Sequence, residues 1–315
     1  MKKRLLPYLL VAFTALCISS GIHAQVVVNE YSCANLSQYQ DIYAKFEDWI
    51  ELHNTATVPA NIGGWYLSDN ENKPTKWQFP QNVTIPAKGF LRVYASGRDE
   101  VMNGTSFHTN FKLTQTKSNP EHIVFANAAG TIIDNLEVVR TQLGQSVGRK
   151  TDGAADWRIF TQPTFGTTND NSTGYAGFAA RPATDQPAGF YAGSVTVSLS
   201  STEPGAVIRY TTDGTEPDAQ SAIYNLPLTF TQTTVLKAVA FSNNPEILPS
   251  FVQFNTYFVD VSHSLLVVSV AGFDLLNLAN GNQSLQPHGS LEYFGQDGDR
   301  KTRAYGELNS HGQDS

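Results

Sequence analysis

Turn chemistry cuts this sequence every few residues, and the pieces between the cuts are too short to be helices. From Val26 the candidate strands are Val26–Tyr31, Trp49–Leu52, Gly64–Ser68, Phe90–Ala95, His122–Ala126 and Thr131–Glu137. They stop at His53-Asn54-Thr55, Ser68-Asp69-Asn70, Pro86-Ala87-Lys88-Gly89 and Asn127-Ala128-Ala129-Gly130, whose Asn, Asp, Pro and Gly favour turns. Gly130 before Thr131 is a hairpin signal, because glycine reaches positive φ without steric cost. Helical periodicity is weak throughout. Charged residues make up only 16% of the chain, which favours strands and turns over solvated helices. Many short strands at near-regular spacing predict a β-sandwich.

The composition shifts at Thr167–Arg181, a stretch dense in Thr, Asn, Asp, Ser and Gly. So little apolar side chain predicts a linker, with bounds 170–181. A second β unit, 182–259, follows. In it Val195-Thr196-Val197-Ser198-Leu199 alternates with period two, and Ala206–Thr211, Thr234–Phe241 and Gln253–Val259 do so more loosely. A third segment, 260–315, offers a strand over Ser264–Val270, a short helix over Phe273–Leu278 and a strand over Leu291–Phe294. Its length predicts an incomplete domain of mixed α/β type. The expected fold class is therefore all-β: two immunoglobulin-like sandwiches in tandem, then that third piece.

The amino terminus reads as an export signal over residues 1–24. Lys2, Lys3 and Arg4 precede an apolar run from Leu5 to Ile18, and Ala24 supplies the small residue before the cut. The run is short of the ~20 apolar residues a spanning helix needs, so no membrane span is expected after cleavage. A lipoprotein signal at Cys17 is disfavoured by Leu16, which stands where a small residue is required. Removing 1–24 takes three basic residues and no acids, so the net charge moves from -7 to -10. That balance opposes nucleic-acid phosphate and anionic lipid, which call for clustered Lys and Arg. Cys33 alone remains, which excludes an intramolecular disulfide. The expected location is secreted or cell-surface.

Three resemblances can be named from motifs. Residues 25–169 resemble a lamin-tail domain. The resemblance is carried by Val28-Asn29-Glu30, Asp48-Trp49-Ile50-Glu51-Leu52-His53-Asn54, Gly64-Trp65-Tyr66-Leu67-Ser68-Asp69, Gln145-Ser146-Val147-Gly148-Arg149 and Pro163-Thr164-Phe165-Gly166-Thr167-Thr168-Asn169. Phe165 departs from the family, which usually has Pro there. Residues 182–259 resemble the C-terminal module of chitobiases and β-hexosaminidases, through Ile208-Arg209-Tyr210-Thr211-Thr212-Asp213-Gly214-Thr215-Glu216-Pro217 and Leu236-Lys237-Ala238-Val239-Ala240. In those enzymes the module is an accessory, so the resemblance implies no glycosidase activity. Residues 261–315 resemble, more weakly, the start of a CotH kinase-like domain, whose functional residues would lie beyond Ser315.

The chemical motifs are mostly rejected on context. Gly144-Gln145-Ser146-Val147-Gly148 matches the G-x-S-x-G elbow, but that motif needs a strand leading in and a helix leading out. Turn residues Lys150-Thr151-Asp152-Gly153 follow instead. No histidine pair has i, i+4 spacing, so no metal site is expected. Asp69-Asn70-Glu71-Asn72 and Asp297-Gly298-Asp299 hold calcium-type oxygens without EF-hand spacing; both read as solvated turns, and calcium remains the one weak cofactor option. Trp49, Trp65 and Leu67 are expected in the core, with Glu51 sharing the face of Trp49 and therefore needing a bonding partner.

One candidate ligand surface stands out: Tyr210, Asp213, Glu216 and Tyr224, an aromatic platform with polar flanks. The plainer reading is a hairpin turn with core tyrosines. The expected function is non-catalytic binding or spacing in an exported protein, with a protein or glycan partner. The alternatives are the leading part of a CotH-like kinase-family enzyme and a glycan-binding accessory module.

Overall fold

A computed structural model describes residues 25–282 and 284–309; the expected export signal, 1–24, lies outside the described residues. The chain is almost entirely β, with a single five-residue helix, Leu275–Ala279, among the described residues.

The first unit is a sandwich of an eight-stranded and a four-stranded sheet. Edge to edge, the larger runs Gly174–Tyr175, Trp157–Phe160, Ser146–Arg149, Val26–Ser32, Trp49–Asn54, Phe90–Tyr94, Ser106–His108 and Glu100–Met102. The smaller runs Ile132–Glu137, His122–Ala126, Tyr66–Ser68 and Trp77–Gln78. Period-two alternation sends Ile50, Leu52 and Val93 from one sheet against Leu67, Ile123 and Phe125 from the other, and these form the inter-sheet core. Cys33 is half-buried against that core, and burial pushes its thiol well above the usual range.

The second unit has a five-stranded sheet ordered Gly189–Tyr191, Gln253–Val259, Thr234–Phe241, Val207–Thr211 and Ala222–Ile223. It faces the short pair Val195–Val197 and Leu228–Phe230. Even-numbered Ile208, Leu236, Ala238 and Ala240 point into the core, joined by Val197, Phe230 and Tyr257.

The 170–181 segment, expected as a linker, is engaged on both sides. Gly174–Tyr175 pairs with Ile159 and Phe160 of the first unit, while Gly177–Phe178 pairs in parallel with Ile247–Leu248 of the second. Leu248 itself belongs to the first unit's core.

The third segment is a three-stranded antiparallel sheet, Val267–Gly272, His288–Phe294 and Arg300–Glu307. No mixed α/β domain is seen among the described residues; the helix only decorates the connection between the first two strands. Its apolar face packs on the outer face of the second unit. Phe294 is fully buried in edge-to-face contact with Phe258, 5.2 Å between centroids, and Phe258 stacks on Phe190. Phe294→Ala should cost ~3–5 kcal/mol locally. Proteolysis would read it as faster cutting within 261–307, with the melting of the first unit unchanged.

Candidate functional site

The densest group of buried titratable side chains lies on the outer face of the first unit's large sheet. A β-bulge falls between Val28 and Glu30, so Val28 faces Leu52 while the next matched pair is Glu30 opposite Glu51. The extra residue, Asn29, turns Glu30 away from the inter-sheet core and onto the face that carries Trp49 and Glu51. Two carboxylates thus stand directly across from each other, an arrangement that destabilises a sheet if both are charged.

The 163–169 loop covers them and supplies donors. Glu30 accepts from Ser146 Oγ at 2.5 Å, Thr164 N–H at 3.1 Å and Thr164 Oγ1 at 2.6 Å. Glu51 accepts from the Gly166 N–H and from Asn29 Nδ2 at 3.2 Å. Asn169 completes the seal, donating to the Arg149 carbonyl at 2.8 Å. Gly148 is required beneath it, because a Cβ there would sit 2.9 Å from both Asn169 Nδ2 and Glu30 Cγ. Both glutamates are 0% exposed. Burial raises both carboxyls, Glu51 to about 8; the Glu30 charge pushes Glu51 up further, and Asp152 pushes both up.

Trp49 is fully buried, as the sequence predicts, but on this outer face rather than between the two sheets. It stacks on Phe165, 4.2 Å between centroids, and meets Tyr39 edge-on. Arg92 sits over the other partner ring, 5.3 Å from the Phe165 centroid. Phe165, the residue that departs from the family pattern, is therefore what closes the loop over the sheet. Trp65 is only half-buried, while Leu67 is fully in the core.

Ser146 lies within a strand and is fully buried, spending its hydroxyl on Glu30. It lacks the strand-to-helix elbow that exposes a nucleophile. Paired carboxylates are the usual apparatus of glycoside hydrolysis, but here the loop occupies the space a substrate would need.

The four candidate ligand residues are not gathered on one surface. Tyr210 and Tyr224 pack partly against the second core. Asp213 closes its own turn by accepting from Thr215 N–H at 3.0 Å and Thr215 Oγ1 at 2.6 Å, which holds its carboxyl below the usual range. Glu216 turns towards the third sheet and pairs with Lys237, a lysine with 0% exposure that also donates to the Ala271 carbonyl at 3.1 Å. Sequence spacing marks Lys237 only as a polar residue between Leu236 and Ala238; its burial needs the third sheet. Of the calcium-type turns, Asp69 is bonded to Lys76 and Asp297 to Lys301. Among the described residues no group of three or more His, Cys, Asp or Glu could hold a metal ion.

Comparison with known families fits this anatomy. Residues 21–140 match the Lamin Tail Domain, and residues 186–247 match the Chitobiase/beta-hexosaminidase C-terminal domain. The first unit is thus similar to a lamin tail domain and the second to a chitobiase-type module, and they are called so below. Neither match reaches residues 260–315. A search of curated proteins found no match. In the lamin tail domain the matched stretch ends before Ser146 and the covering loop, yet these supply most of the donors to Glu30.

The carboxyls give the lamin tail domain a pH signature. Glu30, Glu51 and Asp48 all have raised values in the fold, the last to about 7. The folded state then holds more protons than the unfolded chain between roughly pH 4.5 and 8, so stability falls as pH rises through that window. Glu51→Gln should flatten this slope and melt higher than the natural protein at pH 8. Thermal melts of both proteins from pH 5 to 8 check it.

Proposed function

We propose that this chain acts through non-catalytic binding and spacing modules of an exported protein, at the cell surface or secreted. The observation that carries the reading is the burial of the one facing carboxylate pair among the described residues, Glu30 and Glu51, beneath the 163–169 loop. These two carboxyls, raised by burial, serve to hold the fold together rather than to face a substrate. The domain types agree, since a lamin tail domain and a chitobiase C-terminal module are both immunoglobulin-like accessories. No helix of the described residues is long and apolar enough to cross a membrane. Export rests on the basic start, the apolar run and Ala24 within residues 1–24.

A second reading places the third segment at the start of a CotH-like phosphotransferase. Its support is the outer face of the three-stranded sheet, where Val268 and Val270 lie exposed near Phe273 and Leu276. Such a contiguous apolar face calls for a covering layer. Sequencing the coding region past Ser315 tests it: an open frame encoding further strands and acidic motifs supports an enzyme. A third reading, glycan recognition at Tyr210 and Tyr224, draws on their partial exposure beside the Asp213 turn.

The purified protein is expected to show no turnover of glycoside, ester or nucleic-acid substrates. Turnover abolished by Ser146→Ala or Glu51→Gln would overturn the module reading. On a glycan array, equal signals from the natural protein and from Tyr210→Ala would remove the third reading.

A further inference from the structure

Three arginines from distant parts of the chain meet where the two sandwiches and the third sheet come together. Arg140 comes from the lamin tail domain, Arg181 from the connecting segment and Arg303 from the Arg300–Glu307 strand. The guanidinium carbons of Arg140 and Arg181 lie 5.0 and 5.6 Å from the centroid of the same ring, Phe251. Arg303 lies 5.4 Å from the ring centroid of Phe254, three residues along the chain from Phe251 at the start of the Gln253–Val259 strand. The arginines oppose one another: Arg181 is held below its usual value first by burial and then by Arg303 and Arg140.

Arg98, Arg149, Arg158 and Arg300 each meet a carboxylate, at 3.0, 2.9, 3.0 and 2.5 Å. Among the described residues Arg140, Arg181 and Arg303 have no such partner, in a chain whose net charge is -7. Arg92 and Arg209 also lack a carboxylate partner, but Arg92 lies over the Phe165 ring and Arg209 donates to the Ser221 carbonyl, and neither meets a second arginine on the same ring. Arg140 and Arg181 also make no hydrogen bond among those residues, so their N–H forks are free. Placing unpaired like charges together costs stability, and a bound anion would offset that cost.

Arg140 and Arg181 line a cleft of about 390 Å³, which also includes Phe251, His288 and Tyr305. That volume lies in the range of small-molecule sites. Two acids also line it, and Glu216 is engaged through Oε1 only, by Lys237, its Oε2 being buried without a hydrogen-bond partner. Asp218 accepts from Gln220 N–H at 2.9 Å and Ser221 N–H at 2.8 Å. The cleft presents two free planar forks beside an aromatic ring, a donor set that matches the oxygens of carboxylate, sulfate or phosphate.

We infer that this cleft binds a sugar-sized molecule carrying an oxoanion, with Arg140 and Arg181 gripping the anion beside Phe251. This goes beyond the module reading, which names no ligand. It also moves recognition from the Tyr210 turn to the junction of all three β units. A ligand there would touch the lamin tail domain, the chitobiase-type module and the third sheet together, and would fix their mutual orientation.

Calorimetric titration of the purified chain at constant ionic strength tests this, with glucuronate, inorganic phosphate and inorganic sulfate as probes and glucose as the neutral control. At least one oxoanion should bind saturably with one-to-one stoichiometry while glucose does not, and the one that binds tells carboxylate from phosphate or sulfate. The double variant Arg140→Ala/Arg181→Ala should weaken that binding at least tenfold, whereas Arg158→Ala, outside the cleft, should leave it unchanged. Arg140 is exposed, so Arg140→Ala alone gives a folded variant with a partial loss if the double variant is unstable. Arg181→Lys keeps the charge without the fork and should bind more weakly than the natural protein. The inference is overturned if no oxoanion saturates in the millimolar range, or if the folded arginine variants bind as the natural protein does.

Discussion

The first sandwich depends on two glutamates that face each other across neighbouring strands. Glu30 and Glu51 cannot both be charged cheaply in a dry site, and water cannot reach either of them. The 163–169 loop resolves the conflict by bringing the N–H groups of Thr164 and Gly166 and the Thr164 hydroxyl to the carboxyls. The same loop lays Phe165 on Trp49. Polar and apolar needs of one sheet face are thus met by one segment, more than a hundred residues along the chain from the strands it covers. This explains why a cluster with the acidity of an active site has none of the access of one.

The second unit has the complementary arrangement. Its large sheet would expose Lys237, Thr256 and Phe258 if it stood alone, and the third sheet covers all three. Glu292, 1% exposed, accepts from Thr256 Oγ1 at 2.6 Å and from Arg300 Nη1 at 2.5 Å, so the buried charge is paired within the new layer. Burying Lys237 is tolerable because Glu216 and a backbone carbonyl meet it. The modules also touch directly: Gln142 donates to the carbonyls of Pro249 and Ser250, each at 3.3 Å, and Arg158 approaches Glu246 at 3.5 Å. Modules joined this way hold a mutual orientation, which a flexible tether would not.

Much of this was legible in residue order, for definable reasons. Strands His122–Ala126, Thr234–Phe241 and Gln253–Val259 fall where alternation and turn residues place them, because a half-buried strand must alternate. Parity also tied Glu51 to Trp49. It does not tell which face meets the second sheet, since both faces of that strand are buried; Trp49 is core as expected, but beneath the 163–169 loop. The bulge at Asn29 was hidden as well, because one extra residue leaves no compositional mark while reversing the side of Glu30. The Thr167–Arg181 stretch looked like a linker because its pairing is through two-residue strands, whose bonds are made by backbone and leave side chains free to be polar. Proximity in sequence places Glu216 beside Tyr210, whereas the fold pairs it with Lys237, a partner that spacing alone does not reveal.

The central claim is that the Glu30–Glu51 pair is a structural lock closed by the 163–169 loop. Native-state hydrogen exchange of the Thr164 and Gly166 amides tests it most directly, since both donate to these carboxylates. If the lock holds, the two amides exchange as slowly as those of the Trp49–Asn54 strand, through the same global opening. Exchange on the timescale of exposed loops, with the strand still protected, would mean that the loop opens freely over the acids and would contradict the account.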